Sequence, residues 1–381
     1  MTIELKEKPV FIIGYERSGT TLLMAMLGCH PRLAIPEVGW LFPRIYPWRH
    51  TYGALSLDRN FRTMAAEMLF GLNQPLWGMG LNPTTAVDEI ISLSPERSFA
   101  GLYTAMHLRY AKEFGNKPRW GQKTPNNLFF VPQILENFPN AQFIFIVRDG
   151  RDACATSLES AFGAGNLYDA AQTWNLANTF VKPFRRKYDS STWLDIRYEE
   201  LVRAPVKILK TICDFLGESY SPNMLAFYKT PMARKRGSQR DHAPLGLPVS
   251  DKYVGIYKDL LSLRDQQIYA AVAGQTHKKL GYELDVKPLK ISEKDRALWI
   301  ELNGRIRAAR LDGPGGHIVF ESYRDWLVEQ REIRKQKGIW SDTDATHEFP
   351  VGHPDEEYIV GFRAPARWKS HFCIKRQYIG G

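Results

Sequence analysis

Residues 10–27 read VFIIGYERSGTTLLMAML, and this stretch sets the class of fold. Residues 10–13 are apolar, as in a short buried strand, and GYERSGTT follows them directly. The apolar run 22–27 then has the composition of a helix. A strand, a glycine-containing turn and a helix form the opening unit of an open parallel α/β sheet. The sequence therefore predicts an α/β protein with a P-loop-type open parallel sheet flanked by helices.

The turn in this unit has the features of an anion site. Backbone N–H groups at a helix N-terminus point outward, and the helix dipole adds partial positive charge. Gly19 lets the backbone approach an oxygen closely, Thr20 and Thr21 add hydroxyl donors, and Arg17 adds a permanent charge. A nucleoside-triphosphatase loop, GxxxxGK[ST], has lysine after the second glycine. Here that position is Thr20, so the lysine that reaches the β- and γ-phosphates in kinases is missing.

A second anion site is predicted after the strand Gln142–Val147. The strand is followed by Arg148 and then by a helix-like segment that carries Thr156 and Ser157. A guanidinium forks onto phosphate oxygens, and a hydroxyl about two helical turns further on could clamp the same phosphate. An Arg–Asp network at the surface is the alternative. Two anion sites on neighbouring strands imply a ligand with two separated phosphates.

The rest of the chain supplies further elements of such a fold. A third strand is predicted at 192–196, and helices are predicted at 94–114, 169–188 and Pro205–Leu216. After residue 285 the character of the sequence changes, with a helical segment at 321–337 followed by proline- and aromatic-rich sequence. We therefore predict a catalytic domain at 1–285 and a C-terminal extension of unknown role at 286–381.

Composition narrows the class of protein. The 381 residues are 44% hydrophobic and 24% charged, enough to bury one large or two smaller cores. Fifty-one basic against 41 acidic residues leave a net charge of +10, which fits nucleic acid, an anionic membrane or a multiply charged ligand. The four cysteines, Cys29, Cys154, Cys213 and Cys373, show no metal pattern and predict reduced, mostly buried thiols. No apolar run suits a signal peptide or a membrane span, so a cytoplasmic protein is expected if Met1 is the native start.

These segments together resemble the sulfotransferase superfamily. GYERSGTTLL (14–23) is similar to its 5′-phosphosulfate loop, and FIVRDGRDACATS (145–157) to its 3′-phosphate site. Further matching segments are GQKTPNN (121–127), IRYEELVRAP (196–205), DFLGE (214–218) and KKLGYEL (278–284). The likeness covers residues 9 to about 285. It is closest to the branch that includes bacterial and protein-tyrosine sulfotransferases.

The resemblance implies 3′-phosphoadenosine 5′-phosphosulfate (PAPS) as the donor, a hydroxyl-bearing acceptor, and no metal. It assigns the 5′-phosphosulfate to Arg17, Ser18, Gly19, Thr20 and Thr21, and the 3′-phosphate to Arg148 with Thr156 or the adjacent Ser157. Tyr198 matches a position near the adenine. The basic run Arg234, Lys235 and Arg236 resembles a late loop that closes over the 3′-phosphate, and a solvated loop is the alternative.

The catalytic groups follow from the same comparison. Sulfuryl transfer resembles phosphoryl transfer, an in-line displacement that needs cations at the leaving phosphate and a base at the attacking hydroxyl. Arg17 and Lys123 are the candidate cations. The histidine base of the phenol and steroid branch is absent from GQKTPNN, which leaves Glu37 as the candidate base. Its apolar neighbours favour proton acceptance, while a structural glutamate is the alternative.

Two rival functions remain. A P-loop kinase or other nucleotide-dependent phosphotransferase would need the lysine that Thr20 replaces, together with a magnesium-holding aspartate. A basic nucleic-acid-binding protein would use the net charge, but no recognised reader motif is present. The acceptor, whether sugar, lipid, small molecule or tyrosine, is not identified, and an oligomer stays open. The aromatic segments 40–42 and 45–48 could line an acceptor site or belong to the core.

Overall fold

The computed structural model describes residues 7–312, apart from 71, 73, 74, 83, 161 and 162, together with residue 336. This part of the chain contains a five-stranded parallel sheet with the strand order β2-β3-β1-β4-β5. The strands are β1 (Val10–Gly14), β2 (Leu33–Ala34), β3 (Arg119–Lys123), β4 (Gln142–Val147) and β5 (Trp193–Arg197). The predicted α/β class is confirmed, and the three predicted strands are found within one residue of their expected ends.

The α-helices cover both faces of this sheet. In chain order they are α1 (Thr20–Gly28), α2 (Leu41–Arg44), α3 (Asp58–Phe70), α4 (Ala86–Leu93), α5 (Phe99–Glu113), α6 (Val131–Asn137), α7 (Gly150–Leu158), α8 (Leu167–Phe180), α9 (Lys182–Lys187), α10 (Tyr198–Arg203), α11 (Pro205–Leu216), α12 (Pro231–Gly237), α13 (Tyr257–Leu260), α14 (Leu263–Lys279) and α15 (Glu293–Asp312). Short 3₁₀ helices lie at Tyr46–Tyr52, Pro75–Gly78, Pro125–Phe130, Pro222–Lys229 and Arg240–Gly246.

The central strands are buried on both faces. Side chains alternate along a strand, so Phe11 and Phe143 enter one apolar cluster with α5 and α8, while Ile12 and Ile144 enter the other with α1 and α11. This double burial explains why β1 and β4 read as continuous apolar runs and were predicted correctly.

Strand β3 was not predicted because its sequence, RWGQK, is mostly polar. All five residues are nevertheless buried. Arg119 donates from Nε to the backbone oxygen of Lys8 (2.6 Å) and from Nη1 to that of Leu216 (2.7 Å). These acceptors lie far away in the sequence, so no local pattern could reveal the strand.

One predicted helix begins later than expected. The helix predicted to start with a cap at Ser94 is α5, and its N-cap is Ser98, whose Oγ accepts from the N–H of Gly101 (2.9 Å). Ser94 instead donates its hydroxyl to the backbone oxygen of Glu96 (2.7 Å). Both serines carry a capping signal, and the later one is used.

The helix predicted at 169–188 is divided. It forms α8 and α9, which meet at Val181, and Pro183 lies in the first turn of α9. Proline lacks the N–H that would continue the hydrogen bonding of α8. Helix α11 has the predicted bounds.

Part of the predicted extension is described. Helix α15 packs on the segment that leads into α8: Gly165 N–H donates to Asn303 Oδ1 (2.6 Å), and Asn166 Nδ2 donates to the backbone oxygen of Trp299 (2.6 Å). The division at residue 285 stays a prediction. The predicted helix at 321–337, except residue 336, and Cys373 lie outside the described residues.

The described cysteines are unpaired thiols, as expected. Cys154 and Cys213 are buried and Cys29 is half-buried. Within the described residues, no helix combines the length and apolar character needed to cross a lipid bilayer.

The topology fixes where a ligand would bind. Strands β1 and β4 are neighbours at the point where the strand order reverses, since β2 and β3 lie on one side of β1 and β4 and β5 on the other. In open parallel sheets, ligands bind outside the carboxyl ends of the strands at such a point. The loop after β1 and the segment after β4 therefore border the expected crevice.

Candidate anion-binding and catalytic site

The loop after β1 adopts a compact turn that ends in α1. The N–H of Ser18 bonds to the backbone oxygen of Tyr15 (3.2 Å), and Arg17 and Gly19 have left-handed φ angles of 64° and 96°. A Cβ at Gly19 would lie 2.5 Å from Cδ2 of Tyr198, so only glycine fits both the backbone and the space. Gly19 is the N-cap of α1, and the helix begins at Thr20 with its free N–H groups at this edge of the sheet.

Arg148 joins three segments at the same edge. Its Nη1 donates to the backbone oxygen of Arg17 (2.9 Å), its Nη2 donates to that of Tyr253 (2.7 Å), and its guanidinium lies 4.6 Å from the ring centre of Tyr198. Arg148 is buried, and its Nη2 lies 3.9 Å from Oδ2 of Asp152, so Arg–Asp pairing is present here but in the interior rather than at the surface. Arg148 has five N–H donors and two of them go to these carbonyls, so Nε and the second N–H of each terminal nitrogen are left for ligand oxygens.

Some buried polar atoms at this edge lack a hydrogen-bond partner. Ser18 Oγ and Arg148 Nε have no hydrogen-bond partner among the residues that the structure describes. Buried polar atoms are almost always paired with protein, water or ligand. Their position beside the N-terminus of α1 fits an anionic ligand.

The segment that covers this edge was not predicted from the sequence. Asp152 on α7 is fully buried and accepts hydrogen bonds from the N–H groups of Gly255 (2.8 Å) and Tyr257 (2.9 Å). Burial raises the pKa of Asp152, and the neighbouring Arg148 acts in the opposite direction. Asp152 thereby holds residues 251–257 over the end of β4. The RDGRD sequence was the available signal, since it places a second carboxylate one helical turn after Arg148.

The two predicted hydroxyls after Arg148 differ in their surroundings. Thr156 is half-buried, and its Oγ1 donates to the backbone oxygen of Asp152 (2.8 Å). Ser157 is fully buried, and its Oγ donates to Oε1 of Glu16 in the loop after β1 (2.7 Å). Burial raises the pKa of Glu16. Ser157 therefore supports the loop, whereas the Thr156 hydroxyl bonds to backbone oxygens of its own helix.

Lys123 reaches the site from the end of β3. Its Nζ donates to Oγ1 of Thr21 on α1 (3.3 Å), and the side chain is almost completely buried. Burial lowers the pKa of Lys123 to about 7, with Glu37 raising it and Arg236 lowering it. An anion that binds beside this lysine would favour its charged form.

Glu37 forms an ion pair with Arg236. Arg236 donates from Nε to Oε2 of Glu37 (2.6 Å), and its Nη2 donates to the same oxygen. The other two members of the predicted basic run, Arg234 and Lys235, are exposed on α12. Of this basic run, Arg236 therefore pairs with Glu37, and the other two residues face the solvent.

The predicted residues therefore fall into two adjoining groups. The first surrounds the start of α1 and comprises Arg17, Ser18, Gly19, Thr20, Arg148 and Tyr198. The second comprises Lys123, Glu37 and Arg236, and Thr21 links it to α1. Of the predicted aromatic segments, Leu41, Phe42, Ile45 and Tyr46 are core residues, and Trp40 is half-buried.

Known proteins are similar to this chain in sequence. A family model described as "Sulfotransferase family" matches residues 9–222, more than half of the chain. Protein-tyrosine sulfotransferase 2 of Gallus gallus is 26% identical over 226 residues, which cover 58% of this chain and 54% of that protein. The protein-tyrosine sulfotransferase of Drosophila melanogaster is 26% identical over 322 residues, which cover 80% of this chain and 58% of that protein. The chain spans a little over half the length of these relatives.

The fold is also found among solved structures. The sulfotransferase domain of the Synechococcus PCC 7002 olefin synthase has a TM-score of 0.53 at 21% identity, and the match covers 74% of this chain and 99% of that domain. This likeness concerns the fold, and it agrees with the parallel sheet and its flanking helices. The family match and the relatives confirm the predicted superfamily, with its tyrosine-sulfotransferase and bacterial members. The chain belongs to the sulfotransferase family.

Proposed function

We propose that this protein transfers a sulfuryl group from PAPS to a hydroxyl group of an acceptor by in-line displacement. The observation that carries the proposal is the set of contacts made by Arg148. Its guanidinium donates hydrogen bonds to the loop after β1 and to the backbone of residue 253, and it lies over the ring of Tyr198. One arginine thereby joins the two predicted anion sites. PAPS, with its 3′-phosphate and 5′-phosphosulfate, carries two anionic groups on one nucleoside.

The chain's own groups fit such a ligand. The 5′-phosphosulfate would meet the N–H groups at the start of α1, the unsatisfied Oγ of Ser18, and Arg17. The 3′-phosphate would meet Nε of Arg148 and the hydroxyl of Thr156. The ring of Tyr198 lies beside Gly19 and Arg148, where it can border the nucleoside.

Chemistry would take place between Lys123 and Glu37. Glu37 accepts the proton of the acceptor hydroxyl as the oxygen–sulfur bond forms. The bond between sulfur and the bridging oxygen breaks, and its electron pair stays on the 5′-phosphate of 3′-phosphoadenosine 5′-phosphate (PAP). Arg17 and Lys123 stabilise the charge that grows there.

The names of the relatives give a first acceptor to test. The two proteins above are protein-tyrosine sulfotransferases, so tyrosine is the first hydroxyl to offer, followed by sugars, lipids and small phenols. The cytoplasmic location stays a prediction of the sequence.

Calorimetric titration of PAP and of ATP with magnesium tests the donor site. We expect tight PAP binding, weak ATP binding, and a loss of about 10- to 100-fold in PAP affinity for Arg148→Ala, because a hydrogen bond to a charged group contributes about 1.5–3 kcal/mol. Arg186→Ala, which removes an exposed arginine on α9, is the matched control and should bind like wild type. A melting curve of each variant separates lost binding from lost folding. Preference for ATP with magnesium would overturn the proposal in favour of a kinase.

A further inference from the structure

The contact between Arg236 and Glu37 is one-sided. Both Nε and Nη2 of Arg236 donate to Oε2 of Glu37, and no hydrogen bond to Oε1 is found among the described residues. The usual arginine–carboxylate pair uses one nitrogen for each oxygen. Here one oxygen is anchored, and the other keeps its lone pairs for a different group.

The third nitrogen of Arg236 is also fixed. Nη1 donates to Oε1 of Gln239 (3.0 Å). The backbone beneath is held as well: Thr230 caps α12 by accepting from the N–H of Ala233 (3.2 Å), and Ala233 is fully buried. At the end of α12, a Cβ on Gly237 would lie 2.5 Å from the backbone nitrogen of Gly246. All three nitrogens of the guanidinium therefore have a partner, and the side chain is 15% exposed.

The topology brings this pair beside Lys123. Strands β2 and β3 pair in parallel with Leu33 opposite Arg119 and Ala34 opposite Trp120. Beyond β2 the chain stays close to β3, since the N–H of Trp40 donates to Oγ1 of Thr124 (3.4 Å), the residue after Lys123, and Glu37 lies between these two points of contact. The charged groups that face Lys123 are Glu37 and Arg236, and α1 contributes the hydroxyl of Thr21.

We propose that Arg236 is a positioning residue that holds Oε2 of Glu37 and thereby directs Oε1 toward the acceptor hydroxyl. This inference rests on the proposed function. In the transfer step the proton of the acceptor moves to Oε1, while Oε2 keeps its two hydrogen bonds to Arg236. The sulfuryl group moves from PAPS to the acceptor oxygen, and PAP leaves with the bridging electron pair.

This role differs from the one that the basic run suggested. A residue that closes over the 3′-phosphate should change nucleotide affinity when it is removed. A residue that positions the base should leave nucleotide affinity unchanged and lower the rate of transfer. The two roles therefore separate in binding and rate measurements on the same variants.

The first measurement uses the free protein. Lysine side chains labelled with ¹³C at Cε are titrated by NMR in wild type, Arg236→Gln and Glu37→Gln, and Lys123→Met identifies the signal. Removing Arg236 should move the titration of Lys123 to higher pH, and removing Glu37 should move it to lower pH, because the two charges act on Lys123 in opposite directions. Unchanged titrations would show that the pair does not lie beside Lys123 and would overturn the inference.

The second measurement pairs PAP calorimetry with release of ³⁵S-sulfate from labelled PAPS, in which water is the acceptor. For Arg236→Gln we expect PAP affinity within about twofold of wild type and transfer slower by about 10- to 100-fold, since a small displacement of a reacting group has an effect of this size. Arg236→Lys should recover part of the rate. Lys229→Gln, an exposed cation just before α12, should match wild type in both.

The outcomes are distinct. A tenfold loss of PAP affinity in Arg236→Gln would assign Arg236 to the nucleotide, and an unchanged transfer rate would show that it positions nothing. Either result overturns the inference. Failure of wild type itself to bind PAP would overturn the proposed function instead.

Discussion

Gly19, in the loop after β1, has neither the backbone angle nor the space for a side chain. Its φ of 96° and the 2.5 Å that would separate an added Cβ from Tyr198 Cδ2 both exclude a side chain. We expect Gly19→Ala to lower the free energy of unfolding by about 1–3 kcal/mol, the usual range for strain and overpacking, and to displace the N–H groups that face the ligand. Urea denaturation and PAP titration check both effects.

Gly28 is the matched control for this substitution. It ends the same helix, α1, and a Cβ there meets no atom within 4 Å. Gly28→Ala should leave PAP affinity unchanged and should not lower stability, because alanine favours the helix. Equal losses in both variants would contradict the explanation from space and backbone angle.

Lys123 makes stability depend on pH. Its pKa is about 7 in the folded protein, below the usual value near 10.4 of the unfolded chain. Between these values the unfolded state binds more protons, so stability should rise as pH increases from about 7 toward 10. Below pH 7 the lysine is charged in both the folded and the unfolded state, and its burial then lowers the free energy of unfolding most.

Comparison with Lys123→Met isolates this effect. Methionine fills similar space without a charge, so the gain in stability of the variant over wild type should be larger at pH 7 than at pH 9. The difference should amount to about 1 kcal/mol per pH unit or less. Urea denaturation at the two pH values measures it, and a gain that does not change with pH would contradict the shifted pKa.

The junction between β4 and α7 organises a neighbouring loop. Asp152 accepts from the N–H groups of Gly255 and Tyr257, and Arg148 holds the carbonyl of Tyr253. Two side chains, one at the end of β4 and one on α7, therefore hold residues 253–257 through hydrogen bonds to the backbone. A loop held in this way is ordered before any ligand arrives.

Asp152→Ala should release that loop. We expect the amides of Gly255 and Tyr257 to exchange with deuterium about 10- to 100-fold faster, because a half-buried and a buried N–H group lose a charged acceptor. Asp259→Ala removes an exposed carboxylate in the same region and is the control. Unaltered exchange in Asp152→Ala would show that other contacts hold the loop.

Elements whose buried residues form consecutive apolar runs could be predicted from the sequence, and elements or pairs that depend on particular polar partners elsewhere in the chain could not. Strands β1 and β4 were predicted because each contains a run of consecutive apolar residues, as a strand buried on both faces does. The pairing of Glu37 with Arg236 joins positions 199 residues apart, and no local pattern reports it. The same holds for Arg119 in β3, which is buried by partners from two distant segments.

The proposed donor site requires the complete fold. It combines the loop after β1, the end of β4, the start of α10 and residues 251–257. PAP should therefore bind the native state alone and raise its stability by about 2.7 kcal/mol at 100 times the dissociation constant. Melting curves across a PAP series test this, with adenosine as the unphosphorylated control. An equal effect of adenosine would contradict recognition through the phosphates.

The contact between Arg148 and the carbonyl of Arg17 has a kinetic consequence. It closes a separation of 131 residues, and parallel sheets with such distant pairings fold slowly. If the strands dock first, this contact forms only after the transition state of folding. Weakening it would then speed unfolding and leave the folding rate nearly unchanged. The residues proposed to bind the nucleotide would then set the unfolding rate, and bound nucleotide would lengthen the lifetime of the native state.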